Sequence, residues 1–440
     1  MLKVAKFGGS SVSNGAQFAK VKKIIEADES RSVIVVSAPG KRFQDDNKIT
    51  DLLYLCNAHI KYDVSYDSIF AMVEERFTEI VETCGLSIDL PAELKAIRDN
   101  LKNGVPLDYL ASRGEYLNAK LLAEYLGYKF VDAAECIAMN FDGSVDYEAT
   151  EAQLNDMVNV YGKIVIPGFY GYTPNGKVKV FSRGGSDITG AIAAACLNAD
   201  VYENWTDVSG ILMVDPRIVK DPKPIERVTY AELRELAYMG ASVLHEDAVL
   251  PVRRCNIPLN IRNTNEPDHP GTIIREEFPS ESKEENARFI TGITGRKHFK
   301  IINVYISQDK SKTSVQRQVL EICERFDISV EQTPSGIDSF SVIISEKELD
   351  GKTYDLIAAI KRDCPVDEVT VTGGISIIAI VGRQMAYRAG ISGKIFSALG
   401  DNEINIRTIE QGSDEINIMV SVFTADFERA IRVLYDSFAL

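Results

Sequence analysis

The sequence predicts an α/β protein, one large unit of alternating strands and helices followed by two small α+β modules. Three observations carry this. Short β-branched runs alternate with amphipathic helical stretches over roughly the first 265 residues, the pattern of a helix-covered sheet. Residues 265–286 then lose periodic apolar signal and are rich in Pro, Glu, Ser and Lys, as expected of a linker or exposed excursion. Beyond them the chain repeats itself. A shift of 76 residues lays Ile301-Ile302 on Ile377-Ile378, Val304 on Ile380, Ile328-Ser329-Val330 on Ile404-Asn405-Ile406, Gly336 on Gly412 and Asp338 on Asp414.

In order, residues 2–7 read as a strand and residues 16–28 as a helix, with Phe18, Val21, Ile24 and Ile25 on one face. Between them lies Lys6-Phe7-Gly8-Gly9-Ser10-Ser11-Val12. Residues 32–37 (Ser-Val-Ile-Val-Val-Ser) are apolar on both faces, as in a central parallel strand, and end in the turn Ser37-Ala38-Pro39-Gly40. Residues 50–126 read as mostly helical and contain Ser112-Arg113-Gly114-Glu115, with a helix expected over 117–126. Strands ending in turns are expected at 129–132 and 164–169. Val180-Phe181-Ser182-Arg183-Gly184-Gly185-Ser186-Asp187 then repeats the strand, double glycine, hydroxyl and helix order of the first unit. Residues 201–205 read as a strand, 230–239 and 248–254 as helices and 258–262 as the last strand of the large unit. In the tail, each copy reads strand, helix, strand, turn, strand, with first helices at 315–325 and 391–399.

Composition narrows the function. Among 440 residues, 45% are hydrophobic and 26% charged, a balance that suits globular domains. A net charge of −15 argues against a general nucleic-acid or anionic-membrane surface, so phosphate chemistry must use locally placed cations. The seven cysteines are scattered, with no Cys-x-x-Cys, and only four histidines occur; neither a disulfide framework nor a zinc site is expected. No signal-peptide pattern and no membrane-spanning apolar run is seen, so a cytoplasmic protein is expected. Asn204-Trp205-Thr206 fits a glycosylation sequon that has no meaning in that compartment.

The two Gly-Gly units carry the chemistry. Glycines let a phosphate approach backbone amides, and a following helix turns its positive end to the same place. The first unit adds Lys6. The second adds Arg183 and, at a helix start, Asp187, which by itself is also an ordinary capping preference. Both units are read as following strands of one sheet, so both loops should share an edge. Such an edge suits a nucleotide with magnesium and an anionic acceptor, because phosphoryl transfer needs mainly positioning and charge neutralisation. No Walker A motif is present, since Ile391-Ser392-Gly393-Lys394-Ile395 lacks the earlier glycine and the following Ser or Thr, and no protein-kinase motif set occurs.

These motifs, with Trp205-Thr206-Asp207-Val208, Asp215-Pro216-Arg217 and Gly240-Ala241-Ser242-Val243-Leu244-His245, occur in the order seen in aspartokinases. The chain resembles that family along essentially its whole length. The resemblance implies an amino-acid-kinase-like α/β/α sandwich over 1–286, with aspartate- and ATP-binding lobes. It implies tandem ferredoxin-like ACT modules over 287–370 and 371–440, with the strand at 290–300 as a candidate member of the second. It implies ATP-dependent phosphorylation of the β-carboxylate of L-aspartate, the first step toward lysine, threonine and methionine. Such a nucleophile is already ionised at neutral pH and needs no general base.

By the same resemblance, Lys6 and the amides of Gly8, Gly9 and Ser10 would hold the transferring phosphoryl group. Asp187 would organise the site through Mg²⁺ or through Lys6, and no metal ligands are assigned. Arg183 would clamp the α-carboxylate, Glu115 would meet the α-ammonium, and Ser37, Thr50 and Ser186 would add hydrogen bonds. Thr206, Asp207, Leu212, Arg217 and Ser242 would line the nucleotide. Three positions depart from the family pattern. Ser242 stands where many relatives carry a lysine, Glu246-Asp247 replaces the usual His-Pro, and Leu212 stands where some have tyrosine.

In the tail, the loop 307–314, beginning at Ser307, and Ser335-Gly336-Ile337-Asp338 are the expected effector site. Lysine is the expected feedback inhibitor, with threonine as the alternative, and a homodimer or homotetramer is expected to form through the ACT modules. A fused homoserine dehydrogenase is not expected after the second repeat. Two rivals remain at this point: a glutamate-type amino-acid kinase, against which Glu115 and the tail argue, and a non-catalytic amino-acid sensor, which the intact Lys6, Arg183 and Asp187 oppose.

Overall fold

The structure, a computed structural model, describes residues 1–438 except 103, 105, 182–183, 242–243, 245, 279–288, 308–310, 384, 386–388, 413 and 415. In chain order it begins β1 (Lys3–Phe7), α1 (Gly15–Glu26), β2 (Arg31–Val36), α2 (Ile49–Lys61), α3 (Asp67–Cys84), α4 (Leu90–Lys102), α5 (Leu107–Leu126) and β3 (Lys129–Phe130). Next come α6 (Ala133–Cys136), α7 (Tyr147–Tyr161), β4 (Ile164–Pro167), β5 (Tyr170–Tyr172), β6 (Val178–Val180), α8 (Gly185–Cys196) and β7 (Val201–Thr206). Then follow β8 (Ile211–Leu212), β9 (Pro224–Ile225), β10 (Arg227–Thr229), α9 (Tyr230–Tyr238), α10 (Glu246–Arg254), β11 (Leu259–Asn263) and β12 (Thr272–Arg275). The tail holds β13 (Gly292–Tyr305), α11 (Lys312–Arg325), β14 (Ser339–Ser345), α12 (Thr353–Asp363), β15 (Glu368–Val381), α13 (Ile391–Asp401), β16 (Thr408–Gln411), β17 (Asn417–Phe423) and α14 (Phe427–Phe438).

Two compact units result. The first comprises Met1–Ile211, Pro224–Tyr230 and Ser242–Pro279, and the second Leu212–Lys223, Ala231–Ala241 and Ser280–Leu440. Two segments expected in the first domain therefore group with the second unit. For the segment of α9 the reason is a fully buried carboxylate. Glu232 accepts hydrogen bonds from Thr291 Oγ1 at 2.5 Å and from the Arg383 backbone and guanidinium at 3.1 Å each. Glu235, one turn further, accepts from Asn417 Nδ2 at 2.5 Å.

The first unit is built on an eight-stranded sheet of order β10-β12-β11-β7-β1-β2-β4-β3. From β11 to β3 every pairing is parallel, and the β1, β2 and β4 side chains are almost wholly buried. Continuous apolar runs are what such doubly covered strands require. One face is sealed by Phe18, Val21, Ile24 and Ile25 of α1 and by Phe70, Val73, Phe77 and Ile80 of α3.

Three readings of this unit are corrected. Ser112-Arg113-Gly114-Glu115 lies inside α5 rather than ahead of a helix, because Leu110, Leu117, Leu121 and Leu122 form one buried stripe through it. β6 is not a strand of the large sheet; it pairs antiparallel with β5 in a separate hairpin that returns the chain to the end of β4. β11 is not the last strand, since β12 follows within the expected linker and pairs antiparallel with β11 and parallel with β10. Its four residues are too short to show a period among the surrounding prolines and glutamates.

Within the second unit, β13 and β15 run side by side at the centre of a five-stranded sheet of order β14-β13-β15-β17-β16. Each serves two halves. Residues 299–305 of β13 pair with β14, whereas residues 292–296 pair only with the part of β15 that also carries β17. The ladder shifts register between Arg296 and Phe299, where His298 adopts a positive φ of 71°, and the opposite strand bends at Gly374. Two separate apolar cores follow, one around Ile302, Val319, Val342 and Leu356, the other around Ile293, Ile378, Ile395 and Leu434. The repeat extends to the backbone. Asp327 and Glu403, one repeat apart, end their helices with φ of 52° and 55°, and the next amides, Ile328 and Ile404, each close back onto the helix at 3.0 Å. Beyond these helix ends, which the two isoleucines plug, the first copy has only an isolated bridge at Gln332 where the second has β16.

One charged cluster crosses the large sheet. Glu203 of β7 takes Arg31 Nε at 2.7 Å and Trp205 Nε1 at 2.9 Å, and lies 3.7 Å from Lys3 and 3.8 Å from Arg262. Removing one partner of such a buried set costs about 3–5 kcal/mol. Glu203→Ala should lose stability of that order in urea denaturation, and a loss below about 1 kcal/mol would show the cluster to be solvated.

Candidate active site

Lys6, the penultimate residue of β1, is buried, and its ammonium lies 2.6 Å from Asp187 Oδ1. Both groups are needed to stabilise each other, because Lys6 is almost fully buried. Asn204, opposite Lys6 in the β1–β7 register, donates to the same Asp187 oxygen at 2.9 Å, and the Tyr202 hydroxyl holds the Asp187 carbonyl at 3.0 Å. Asp187 sits in the first turn of α8, where a carboxylate complements the helix dipole. Gly184 and Gly185 precede it with φ of 70° and 42°, a conformation that side chains rarely adopt. Sequence reasoning missed Asn204. Its signal is its place one residue before Trp205-Thr206-Asp207, and its burial rules out the sequon.

The first glycine loop differs in detail from expectation. Residues 9–12 form a 3-10 turn, and α1 begins only after Asn14, whose side chain caps Gln17 N at 2.9 Å. The Gly8 amide is spent on the Trp205 carbonyl at 2.9 Å, so the amides at the open start of the turn are those of Gly9 and Ser10. A Cβ on Gly8 would lie 3.4 Å from Lys6 Nζ, which puts the ammonium directly over the loop. A Cβ on Gly9 would meet the Ala38 carbonyl at 3.0 Å, and Gly40 N–H donates to the Gly9 carbonyl at 2.8 Å. The two loops therefore touch backbone to backbone.

Glu115 reaches this region from α5. Burial pushes its carboxyl up to about 8, and the nearby Ala38 amide and Arg113 guanidinium offset only part of that cost. Its Oε2 accepts no hydrogen bond among the described residues. Ser37 continues β2, with its amide donating to Phe7 O at 3.1 Å and its carbonyl accepting from Asn118 Nδ2 at 2.7 Å. Thr50 is the second residue of α2, whose first amide bonds the Pro39 carbonyl. Ser186 is buried against Gly168, where a Cβ would fall 2.4 Å from the serine Cβ. Thr206 ends β7 and Asp207 follows it, with Thr206 Oγ1 donating to Asp207 at 3.1 Å.

Lys6, Gly8–Ser10, Ser37, Thr50, Glu115, Ser186, Asp187, Thr206 and Asp207 thus all belong to the first unit. Most cluster at the carboxyl ends of neighbouring parallel strands, where open α/β sheets bind ligands. The hairpin of β5 and β6 delivers the second glycine loop there although its strand lies outside the sheet. Arg183 and Ser242 lie outside the described residues. Leu212 and Arg217 fall in the second unit; Arg217 is 87% exposed along its side chain and is held by Asp215 at 2.6 Å. In the tail, Ser307 donates to Asp367 at 2.6 Å, and Lys312 Nζ holds the Gly336 carbonyl at 2.6 Å. Ser335, Gly336, Ile337 and Asp338 are all exposed, and the Asp338 carbonyl accepts from Ile306 N at 2.9 Å. Among the described residues, no three His, Cys, Asp or Glu side chains converge as a cation site, and no helix is long and apolar enough to cross a membrane. All seven cysteines are free thiols.

A model of the amino acid kinase family matches residues 1–263, and an ACT domain model matches residues 378–438. The chain is 36% identical over 458 residues to aspartokinase 3 of Bacillus subtilis (strain 168), across 99% of this chain and 98% of that protein. The crystal structure of Clostridium acetobutylicum aspartate kinase matches with a TM-score of 0.94 at 48% identity, covering 99% of this chain and all of that one. E. coli aspartokinase III is similar in fold at 23% identity. Its complex with aspartate and ADP has a TM-score of 0.73 over both whole chains, and its complex with lysine and aspartate 0.74 over 99% of each.

The buried Glu115 has a consequence for stability. Its folded pKa lies above its unfolded value, so between about pH 5 and 8 the unfolded chain gives up a proton that the folded one keeps. Stability then falls with rising pH by up to about 1.4 kcal/mol per unit. Glu115→Gln should lack this slope, matching the parent near pH 5 and exceeding its unfolding free energy at pH 8. Parallel pH profiles would refute the assignment.

Proposed function

The chain belongs to the amino acid kinase family, among the aspartate kinases, and from that premise we propose how its residues transfer the ATP γ-phosphoryl group to the β-carboxylate of L-aspartate, giving 4-phospho-L-aspartate. The observation that carries the residue assignment is the Lys6–Asp187 pair, with the Lys6 ammonium against Gly8 at the start of the glycine loop. Lys6 would neutralise charge on the moving phosphoryl group, and the Gly9 and Ser10 amides would donate to its oxygens. Preformed donors of this kind act without reorganising at the moment of reaction. Asp187, with Asn204, keeps the ammonium aimed at that place. The attacking carboxylate is ionised at neutral pH and needs no general base.

The aspartate ammonium would bind Glu115, whose carboxylate is costly to ionise without a cation. Binding would draw off its proton, so KM for aspartate should fall from pH 6 to pH 8. Arg183 would clamp the α-carboxylate, and Ser37, Thr50 and Ser186 would orient it. Thr206, Asp207, Leu212, Arg217 and Ser242 would serve the nucleotide; Arg217 would have to leave Asp215 to do so. Magnesium would enter as the companion of the ATP phosphates, with no protein ligand set assigned.

We extend the reading to the tail as a proposal. The two halves of its sheet would be two ACT modules, 287–370 and 371–440, with residues 290–300 lending their first strand to the second. A 1–286 kinase domain would precede them. The Ser307 and Ser335–Asp338 loops would bind an amino-acid feedback inhibitor, lysine or threonine, with Asp338 meeting its ammonium. A homodimer or homotetramer through these modules, a cytoplasmic site of action and a place at the start of lysine, threonine and methionine synthesis complete the proposal.

An assay of ATP turnover offering aspartate and glutamate separately tests it. Turnover should depend on aspartate and on magnesium, and should be lowered by lysine or threonine; turnover with glutamate alone would overturn the substrate. Lys6→Ala should cut kcat by about 10²–10³-fold with folding intact, and undiminished activity would refute its role.

A further inference from the structure

Between the end of β2 and the start of α2 the chain runs through residues 37–48 without regular structure. A connection of that length has no ladder of its own to fix it. Its tip is exposed, with Phe43 62% accessible. Yet both of its ends are tied to one buried side chain. Arg76, on the inner face of α3 and 3% exposed, donates from Nη1 to the Gly40 carbonyl at 2.7 Å. Its Nη2 donates to Asp46 Oδ2 at 2.5 Å and to the Asn47 carbonyl at 3.4 Å. Asp46 is itself buried, and Arg42 closes over it through its backbone amide and Nε, each at 2.9 Å. Only a planar fork with donors on two arms can staple both ends at once.

What this staple holds matters for the reaction. Gly40, gripped at its carbonyl by Arg76, donates its amide to Gly9, the residue whose own amide opens toward the phosphoryl group. Ala38, two residues earlier, lies against Glu115 and Gly114. Ser37, the first residue of the segment, and Thr50, just beyond it, are the residues assigned above to the aspartate. A buried ion pair placed for stability alone has no need to spend an arm on a loop carbonyl, and burying charge is costly in itself.

We infer that Arg76, acting with Asp46, is a positioning residue for phosphoryl transfer: it closes the 37–48 segment so that Gly40 seats against the phosphoryl-binding loop while Ser37 and Thr50 face the aspartate. This rests on the assignment of aspartate to that place. The guanidinium touches no reacting atom and acts through the backbone it holds.

The test compares Arg76→Ala and Asp46→Asn with the parent in full-length enzyme, varying aspartate and ATP separately and scaling rates to the folded fraction. Arg76→Ala should lose tenfold or more in kcat/KM for aspartate, with KM for ATP changing less than KM for aspartate. Added guanidinium at millimolar concentration should restore part of the loss. Asp46→Asn, which keeps size and one acceptor, should lose threefold or more and gain nothing from guanidinium. It decides the matter alone if the alanine variant does not fold. Parent values of kcat/KM in either soluble variant, or a loss in Arg76→Ala that guanidinium does not restore, overturn the inference. A parent enzyme without aspartate-dependent turnover would instead overturn the reaction assignment.

Discussion

The ion pair between Lys6 and Asp187 joins residues 181 positions apart, and much of the first unit exists to make that meeting stable. Lys6 must be buried for its charge to be felt undiluted, and burial is tolerable only with a carboxylate beside it. The carboxylate in turn needs a helix start, a left-handed glycine pair and the Asn204 amide to hold it still. Those requirements fix the neighbours. β7 must lie beside β1 in a register that sets Asn204 opposite Lys6, and the β5–β6 hairpin must bring the second glycine loop back over the strand ends.

Charge is handled here by locality. The chain carries a net charge of −15, but the cations that matter are each enclosed with a chosen anion. Glu203 gathers Arg31, Lys3 and Arg262 across the middle of the sheet, Asp46 gathers Arg42 and Arg76 beside the loop, and Asp187 takes Lys6. Glu115 is the exception, a buried acid with the Ala38 amide and Arg113 nearby but no ion pair among the described residues. That imbalance is the physical ground for the ligand-binding role proposed for it.

Much of this was legible in the sequence for identifiable reasons. The run at 32–37 and the stripe of Phe18, Val21, Ile24 and Ile25 are periodic enough to place a buried strand and its covering helix. Lys6 and Asp187 could be read because they stand next to double glycines. Less visible were features set by tertiary contact. β12 has four residues and no period of its own, and β6 reads like any other strand until its pairing is seen. Asn204 looks like a polar residue in a sequon. Arg76 hides in the apolar stripe of α3, between Val73 and Ile80 at the spacing of a core residue, where only its charge is out of place. Ile328 and Ile404 have strand chemistry, but the helix ends behind them used them first.

The shared strands of the second unit decide how its two cores can form. Ile290 and Ile293 belong to the core completed by Ile418 and Leu434, while every residue of the other core lies between them in the chain. The halves are nested rather than strung in tandem: one is inserted within the other. As the chain emerges during synthesis, the inner half can close first, and the opening strand of the outer half must wait more than eighty residues for its partner in β15 and longer still for Ile418 and Leu434. No single cut separates the two: the inner half is one continuous stretch, whereas the outer half is split around it and cannot be exchanged as a continuous cassette without carrying the inner one.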